Sequence, residues 1–391
     1  MNAFGNAGKP RFLLIYREMI PSVRLCGHCQ LETLARWGRL EYRAVQELKL
    51  KASDLDWAEV AVLGRLESWY EYRVAQSLKN AGKKILYIID DDLTCVPPEV
   101  GVAAYYARPE IQRYIGKMID MSDGILSPSP VLLERFATDG KMAIQVGEPS
   151  MIPAAYRPRE PGRPVKIGFA GSIDRKNDLE DLLREALLEV KAEYGEGVAF
   201  EFFGAAPSFA QALNARIIPY CDDYKQYRER LNAAEWDIGL APMPDTPFHG
   251  CKHFIKFCEY AASGIAGVYS RVSPYTRIRG FEGCGVLCDN TVEAWTGALR
   301  RLLEDRQYRE GIRAVASEYA VQKLSVEAVS EALWPSLDRL IKRRGAPAKG
   351  TAPLWLLKAC NPFMRFATKI RTEGLRGCIR AAARRVNGRL R

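Results

Sequence analysis

The sequence predicts an α/β chain made of two doubly wound parallel-sheet domains that face each other across a cleft. Three observations lead there. Short β-branched runs alternate with helix-period segments, a Pro-rich break interrupts the pattern once, and the pattern then restarts. The length of 391 residues agrees, because an ordinary domain takes about 150.

The strand candidates of the first half are RFLLIY (11–16), VAVL (60–63), KILYII (84–89), GIL (124–126) and MAIQV (142–146). Between them Leu31, Leu34 and Ala35, then Val74, Ala75 and Leu78, recur at helical spacing. Residues 1–150 are therefore expected to form one α/β domain. The segment EPSMIPAAYRPREPGRP (148–164) holds five Pro and reads as an exposed connection, with the linker at 151–164. VKIGFA (165–170), VAFEFF (198–203), RII (216–218), DIGLA (237–241) and GIAGVY (264–269) make a second α/β domain over 165–320. Helical runs from Thr291 lead to VEAVSEALWPSLDRLI, expected as a helix within 321–341 that crosses back to the first domain. In such sheets ligands gather outside the carboxyl ends of the strands, which puts the expected site in the cleft.

With 48% hydrophobic and 27% charged residues the chain is outside the disordered class. No apolar run reaches the roughly 18 residues of a membrane span, and MNAFGNAGKPRF lacks the apolar core of a signal peptide. A cytoplasmic protein is expected, and its 10 Cys read as reduced thiols. The charge is unevenly placed. Residues 342–391 carry 14 Lys and Arg against the single acid Glu373, a net +13 within a chain of +10, so the body is about −3. A body of that charge has no nucleic-acid footprint, and nucleic acid is not an expected partner. In the tail, Ile379, Ala383, Val386 and Leu390 lie at helical spacing among Arg380, Arg384, Arg385 and Arg389. Together with the apolar cluster Leu354 to Leu357, this predicts a basic amphipathic segment that meets an anionic surface, the inner face of a membrane.

Two segments carry the chemistry. In VKIGFAGSIDRKNDLEDLL (165–183) a strand runs through a turn with Gly168, Gly171 and Ser172 into a helix that begins at Arg175 and Lys176. Glycines permit close approach of a ligand, and a helix N-terminus flanked by cations favours a diphosphate. A plain βα turn with solvated cations has the same pattern. In HGCKHFIKFCEYAASGIAGVYS (249–270), Lys252, Lys256 and Glu259 are spaced for one helix face, with Gly264 ending the helix. Such a face supplies lysine to phosphates and a carboxylate to ribose hydroxyls, although a solvated charged face is spaced alike.

That second segment resembles the K-x3-K-x2-EY-x-A-x-G signature of the retaining GT-B glycosyltransferases of family 4. The resemblance covers 165–320, including YKQYRERLNAAEWDIGLAPMPDTPF (224–248), and reaches YIIDDDL (87–93) more weakly. It implies two Rossmann-like domains, with the nucleotide-sugar donor on the second and the acceptor on the first. By position it implies that Glu259 holds the ribose and that Lys176 meets the donor diphosphate. Ser172 stands where the family commonly has arginine, so Arg175 is expected to supply that charge. The first Glu of the family's pair is Cys251 here, which leaves donor-sugar contacts to His249 or Lys252. Lys176, Lys256 and His249 are the expected catalytic residues. Arg24, Asp91 and Asp92 are expected on the acceptor side.

Other patterns are weaker. Cys26-Gly-His-Cys29 is the tetrapeptide of disulfide isomerases, but the match ends at four residues. Cys26 and Cys29 with Cys284 and Cys288 have tolerable spacing for zinc, yet fall in different domains. Asp90-Asp91-Asp92 resembles the metal site of the other glycosyltransferase fold; in a two-domain chain it is read as a turn or acceptor residue, with no metal cofactor. Three His and no G-x-S-x-G elbow exclude the common hydrolase triad. The expected activity is sugar transfer from a nucleotide-diphosphate sugar to a glycan or lipid-linked acceptor, with retention of configuration. The alternatives are a silent nucleotide-sugar-binding protein and a nucleotide-sugar epimerase of the same fold.

Overall fold

The computed structural model describes residues 8–149 and 156–343; the basic tail beyond Arg343 lies outside them. Two six-stranded sheets organise the chain, and every strand pair is parallel. The first contains β1 (Arg11–Tyr16), β2 (Glu41–Gln46), β3 (Val60–Gly64), β4 (Lys84–Ile88), β5 (Gly124–Ser127) and β6 (Met142–Gln145), in the order β2-β1-β3-β4-β5-β6. The second contains β7 (Val165–Gly171), β8 (Val198–Gly204), β9 (Arg216–Ile218), β10 (Ile238–Ala241), β11 (Ala266–Ser270) and β12 (Gly285–Cys288), in the order β12-β11-β10-β7-β8-β9.

Strand order dictates where a ligand can sit. In the first sheet the chain leaves β1 toward β2 and then returns to place β3 on the other side, so the order reverses between β1 and β3. In the second the reversal lies between β7 and β10. A crevice opens outside the carboxyl ends of the strands at each reversal. One crevice is bordered by Arg17 and Arg65, the other by Ser172 and Pro242, and the two face each other.

β3 and β4 are buried at every position, as their unbroken apolar runs require of central parallel strands. Their alternate side chains feed two cores. Leu63, Ile85 and Tyr87 meet Val74, Ala75 and Leu78 of helix Trp69–Asn80 on one face. Val62, Leu86 and Ile88 meet Leu31 and Leu34 of helix Cys29–Arg36 on the other. Two strands escape the sequence reading, β2 and β12, and both are sheet edges. EYRAVQ of β2 has no fully buried residue and no apolar run, and GVLC of β12, although apolar, is four residues long with only Cys288 fully buried.

The last helix, Val326–Lys342, leaves the second domain and packs on the first. Its Leu333, Leu337 and Leu340 complete the core around Leu31 and Ile144. Truncating one of these leucines to Ala would cost about 2–5 kcal/mol. Lys84 Nζ donates to the carbonyls of Leu340 and Arg343, both at 2.6 Å, which closes the C-terminal end of this helix. The chain thus passes between the domains twice. Gly147, just past β6, lies against the start of this helix, where a Cβ would stand 2.7 Å from Val329 Cγ1.

Candidate active site

The C-terminal half of the cleft is built on helix Ile255–Ala262. It ends as its sequence predicts: Gly264 adopts φ +61°, its N–H donates to the Ala261 carbonyl, and Ile265 N–H donates to that of Tyr260. Glu259, in the middle, is 3% exposed. Its Oε2 accepts from Lys256 Nζ (2.6 Å) and Tyr227 Oη (2.8 Å), and Oε1 accepts from Tyr224 Oη (3.3 Å). Burial and the Glu259 charge push both phenols well above their ordinary pKa, so they remain donors. Oε1 accepts only the long bond from Tyr224 and retains room for a further donor.

These groups line a cavity of about 300 Å³, closed on the other side by Pro21, Ser22, Leu25 and Asp90 of the first domain. A larger cavity of about 870 Å³ lies beside it, lined by Arg17, Arg65, Tyr105 and Tyr106 opposite Arg175, Thr246 and His249. Asp91, Ser172 and Lys252 border both. At this junction Lys252 Nζ meets Asp91 Oδ1 at 3.1 Å, one domain to the other. Burial would raise the Asp91 pKa, but Lys252 and Arg65 hold the carboxyl below its ordinary range.

The structure redistributes several expected roles. Helix Ile255–Ala262 starts too late to include Lys252, which stands in the preceding turn; it reaches the cavity of Lys256 and Glu259 by the loop and not along a common face. Lys176 is exposed and lines neither cavity. A 3-10 turn at Ile173–Arg175 precedes helix Lys176–Tyr194, and this turns Arg175 inward and the next residue out. Arg175 donates to the Pro242 carbonyl (2.6 Å), pairs with Asp178 (2.7 Å) and faces the large cavity. Gly168 serves packing and not a ligand, since a Cβ there would stand 2.0 Å from the Trp236 ring; Gly171 does border the small cavity.

Cys251 is buried beside Asp92 and Arg135 and lines neither cavity. The Asp trio diverges: Asp90 pairs with Arg65 (3.3 Å), Asp91 with Lys252, and Asp92 with Arg135 and Thr94. Asp92 is thereby a loop anchor, and Arg24, half-buried in a π-helical turn at Arg24–His28, lines neither cavity. His249 borders the large cavity, with Nδ1 2.8 Å from Thr246 Oγ1. Burial, with Arg175 and Lys252 nearby, lowers its pKa to about 4, so the ring is neutral at pH 7.

Sequence reasoning missed a second interdomain contact. Glu148, just past β6, accepts from Cys26 Sγ (3.0 Å) and lies 2.7 Å from His253 Nδ1. The side chains of Glu148 and His253 are 8% and 6% exposed, and both border the small cavity. Burial raises the Glu148 pKa, but His253 and Cys26 bring it below the ordinary value. Cys26 is correspondingly pushed well above its usual pKa, by burial and by Glu148, and Cys29 to about 11, the reverse of a redox-active pair. Cys26, Cys284 and Cys288 belong to three separate cores.

No protein-family model matches the sequence, and no curated protein matches it at a significant level. Solved structures do resemble it. A glycosyltransferase from Rickettsia africae is 12% identical with a TM-score of 0.58, over 86% of this chain and 99% of that one. Sucrose-phosphate synthase of Thermosynechococcus elongatus is 14% identical with a TM-score of 0.56, over 85% and 99%. HepE of Anabaena, solved with UDP and glucose, is 11% identical with a TM-score of 0.55, over 84% and 100%. The likeness extends over both domains, and the chain has the GT-B fold.

Proposed function

We propose that the protein is a glycosyltransferase that moves a sugar from a nucleotide-diphosphate sugar to a glycan or lipid-linked acceptor, with retention of configuration. The observation that carries this reading is the pair of cavities meeting at Lys252, each lined by both domains and set at the strand reversals of the two sheets. Nucleoside and ribose would occupy the small cavity, the ribose donating to Glu259 Oε1. The diphosphate would lie at the junction, where Ser172, Lys252, Lys256 and Arg175 converge, beside the uncapped N-terminus of helix Lys176–Tyr194. The acceptor would enter the large cavity from the first domain.

In this reading the bond from the anomeric carbon to the diphosphate breaks and both electrons leave on the phosphate oxygen. The acceptor hydroxyl bonds to the same face, and its proton passes to the departing diphosphate. Lys252, Lys256 and Arg175 offset charge that grows on that oxygen, each contact being worth on the order of 3 kcal/mol in the barrier. No protein nucleophile or metal cofactor enters the scheme. His249, neutral and beside the junction, is suited to orient the transferred sugar. The structures aligned above include a UDP-bound protein and a named glycosyltransferase, which supports the donor class. The +13 tail fits an anionic inner-membrane surface where lipid-linked acceptors are extended.

The test is incubation with UDP-, GDP- and other nucleotide sugars, following nucleotide release and, in the product, the anomeric configuration. Release stimulated by an added glycan supports transfer. An altered sugar still attached to its nucleotide identifies an epimerase, and binding without turnover identifies a silent binder. A nucleotide at about 100 times its dissociation constant adds about 2.7 kcal/mol of stability, so a thermal-shift panel finds the base first.

A further inference from the structure

The first domain carries another cavity, of about 400 Å³, one strand outward from the cleft. Arg17, Gln46 and Leu48, at or past the carboxyl ends of β1 and β2, form one side; Trp69 and Tyr114, from helices Trp69–Asn80 and Pro109–Met121, form the other. Arg17, Glu18, Glu67 and Tyr105 border both this cavity and the large one in the cleft, so the two adjoin. Neither the strand pattern nor the family signature draws attention to this place.

Its chemistry is specific. Trp69 is half-buried, with part of its ring packed on the core around Tyr70 and Val74, and among the described residues no aromatic ring or cation stacks on it. Its neighbours differ: Arg108 lies over Tyr105 at 5.2 Å, and Tyr72 and Lys117 flank Tyr114 at 5.8 and 5.7 Å. Glu67 is 4% exposed; Oε1 accepts from Arg17 (3.0 Å) and Tyr105 (3.1 Å), while Oε2 is buried with no partner. Arg17 is already committed to Glu67 and Glu71. Glu18, Glu47, Glu67 and Glu110 then outnumber the cations Arg17 and Arg108, which repels anions. A flat apolar face beside the exposed carboxylate of Glu18 and the singly engaged Glu67 matches a sugar ring, which is apolar on one face and rich in hydroxyl donors at its rim.

The geometry points to a sugar subsite here, holding the second ring of a neutral glycan whose first ring lies in the large cavity. The enzyme would then extend an existing oligosaccharide and would not glycosylate a lone sugar or a phosphate headgroup. This rests on the large cavity being the acceptor side. The combined space, about 870 and 400 Å³, exceeds the range of about 300–1,000 Å³ usual for one small ligand.

The full-length protein is applied to a printed array of neutral and acidic glycans, from monosaccharides to hexasaccharides, while nucleotide diphosphates are screened separately by thermal shift. Expected are binding of neutral oligosaccharides over monosaccharides, a loss of about tenfold or more with Trp69→Ala, retention with Trp69→Phe, and an unchanged nucleotide shift in both. Trp69→Leu keeps the apolar contact with the core but not the flat face; it replaces Trp69→Ala if that variant does not fold, and the same loss is expected. The subsite is overturned if no glycan binds, if monosaccharides bind as well as oligosaccharides, if acidic glycans are preferred, or if the Trp69 variants bind like wild type. A missing nucleotide shift in the wild type would instead refute the donor reading, whatever the array shows.

Discussion

Replacing Asp91 with Asn tests whether the junction of the cavities is a diphosphate site. Lys252 is held by Asp91 at 3.1 Å, with side chains 24% and 30% exposed. At an effective dielectric of about 20 the Coulomb term is about 5 kcal/mol, but with both groups reached by water the net coupling is about 1 kcal/mol. A diphosphate that recruits Lys252 competes with this carboxylate and is repelled by it. Asp91→Asn removes both penalties at nearly constant shape, so nucleotide diphosphate affinity should rise about fivefold to tenfold, one factor of ten being about 1.4 kcal/mol. Asp91 also borders the large cavity, and the loss of a charged acceptor there should lower kcat. Calorimetric titration measures the first effect and single-turnover kinetics the second. Lys252→Ala should weaken binding, and adding Asp91→Asn to it should recover less than Asp91→Asn gains alone, because only the direct repulsion is then left to remove. Unchanged or weaker nucleotide binding by Asp91→Asn alone would refute the idea that Lys252 meets the diphosphate.

Glu259→Ala should raise the donor Kd by about tenfold or more, a charged hydrogen bond being worth about 1.5–3 kcal/mol, while Lys256→Ala and Arg175→Ala mainly slow turnover. Lys176→Ala and Cys251→Ala should stay close to wild type in the same assays, because neither residue lines a cavity. His249, whose pKa burial and then Arg175 and Lys252 lower to about 4, stays neutral at pH 7 but should take up a proton more readily in acid when an anionic diphosphate offsets those cations. Nucleotide-sugar affinity should then rise as pH falls from 7 toward 4.5, and His249→Ala should flatten that slope. Glu148, whose folded pKa is depressed, stabilises the fold above its unfolded pKa of about 4.5 and loses that contribution as pH falls through the folded value. Glu148→Gln should therefore lower the thermal midpoint at pH 7, a hydrogen bond to a charged group being worth about 1.5–3 kcal/mol, and lose less than wild type on acidification. Flotation with anionic liposomes should retain the full chain, salt-sensitively, and release a chain ending at Ile341; equal behaviour of the two rejects membrane attachment.

The fold was legible where burial is complete on both faces. VAVL and KILYII announce β3 and β4 because a central parallel strand needs apolar residues at every position, whereas EYRAVQ, at an edge, needs few. The meeting of Lys256 and Glu259 was legible because they are three residues apart on one helix, and Tyr224 and Tyr227, which join them, lie in the stretch that resembles the family. Arg175 and Lys176 are adjacent and chemically alike, and only the 3-10 turn before the helix decides which one faces inward. Glu148 and His253 are 105 positions apart, and Glu148 sits in a Pro-rich segment where no periodicity marks a buried carboxylate. Long-range polar pairs leave no local pattern. Trp69 reads as one more core aromatic until its bare face is seen.

The contact between Gly147 and Val329 has a mechanical consequence. Gly147 lies just past the last strand of the first domain and Val329 near the start of the helix that returns to it, so the chain leaves and re-enters that domain at one place, and a swing of one domain against the other would turn about it. Asp91–Lys252 and Glu148–His253 both span the gap and differ in exposure. The pair with Glu148, which lies next to Gly147, would barely lengthen during such a swing, while the more exposed junction pair opens and shuts. Opening for substrate entry would therefore expose Lys252 while leaving the buried pair intact, so that the charge that receives the diphosphate is freed by the same movement that admits it.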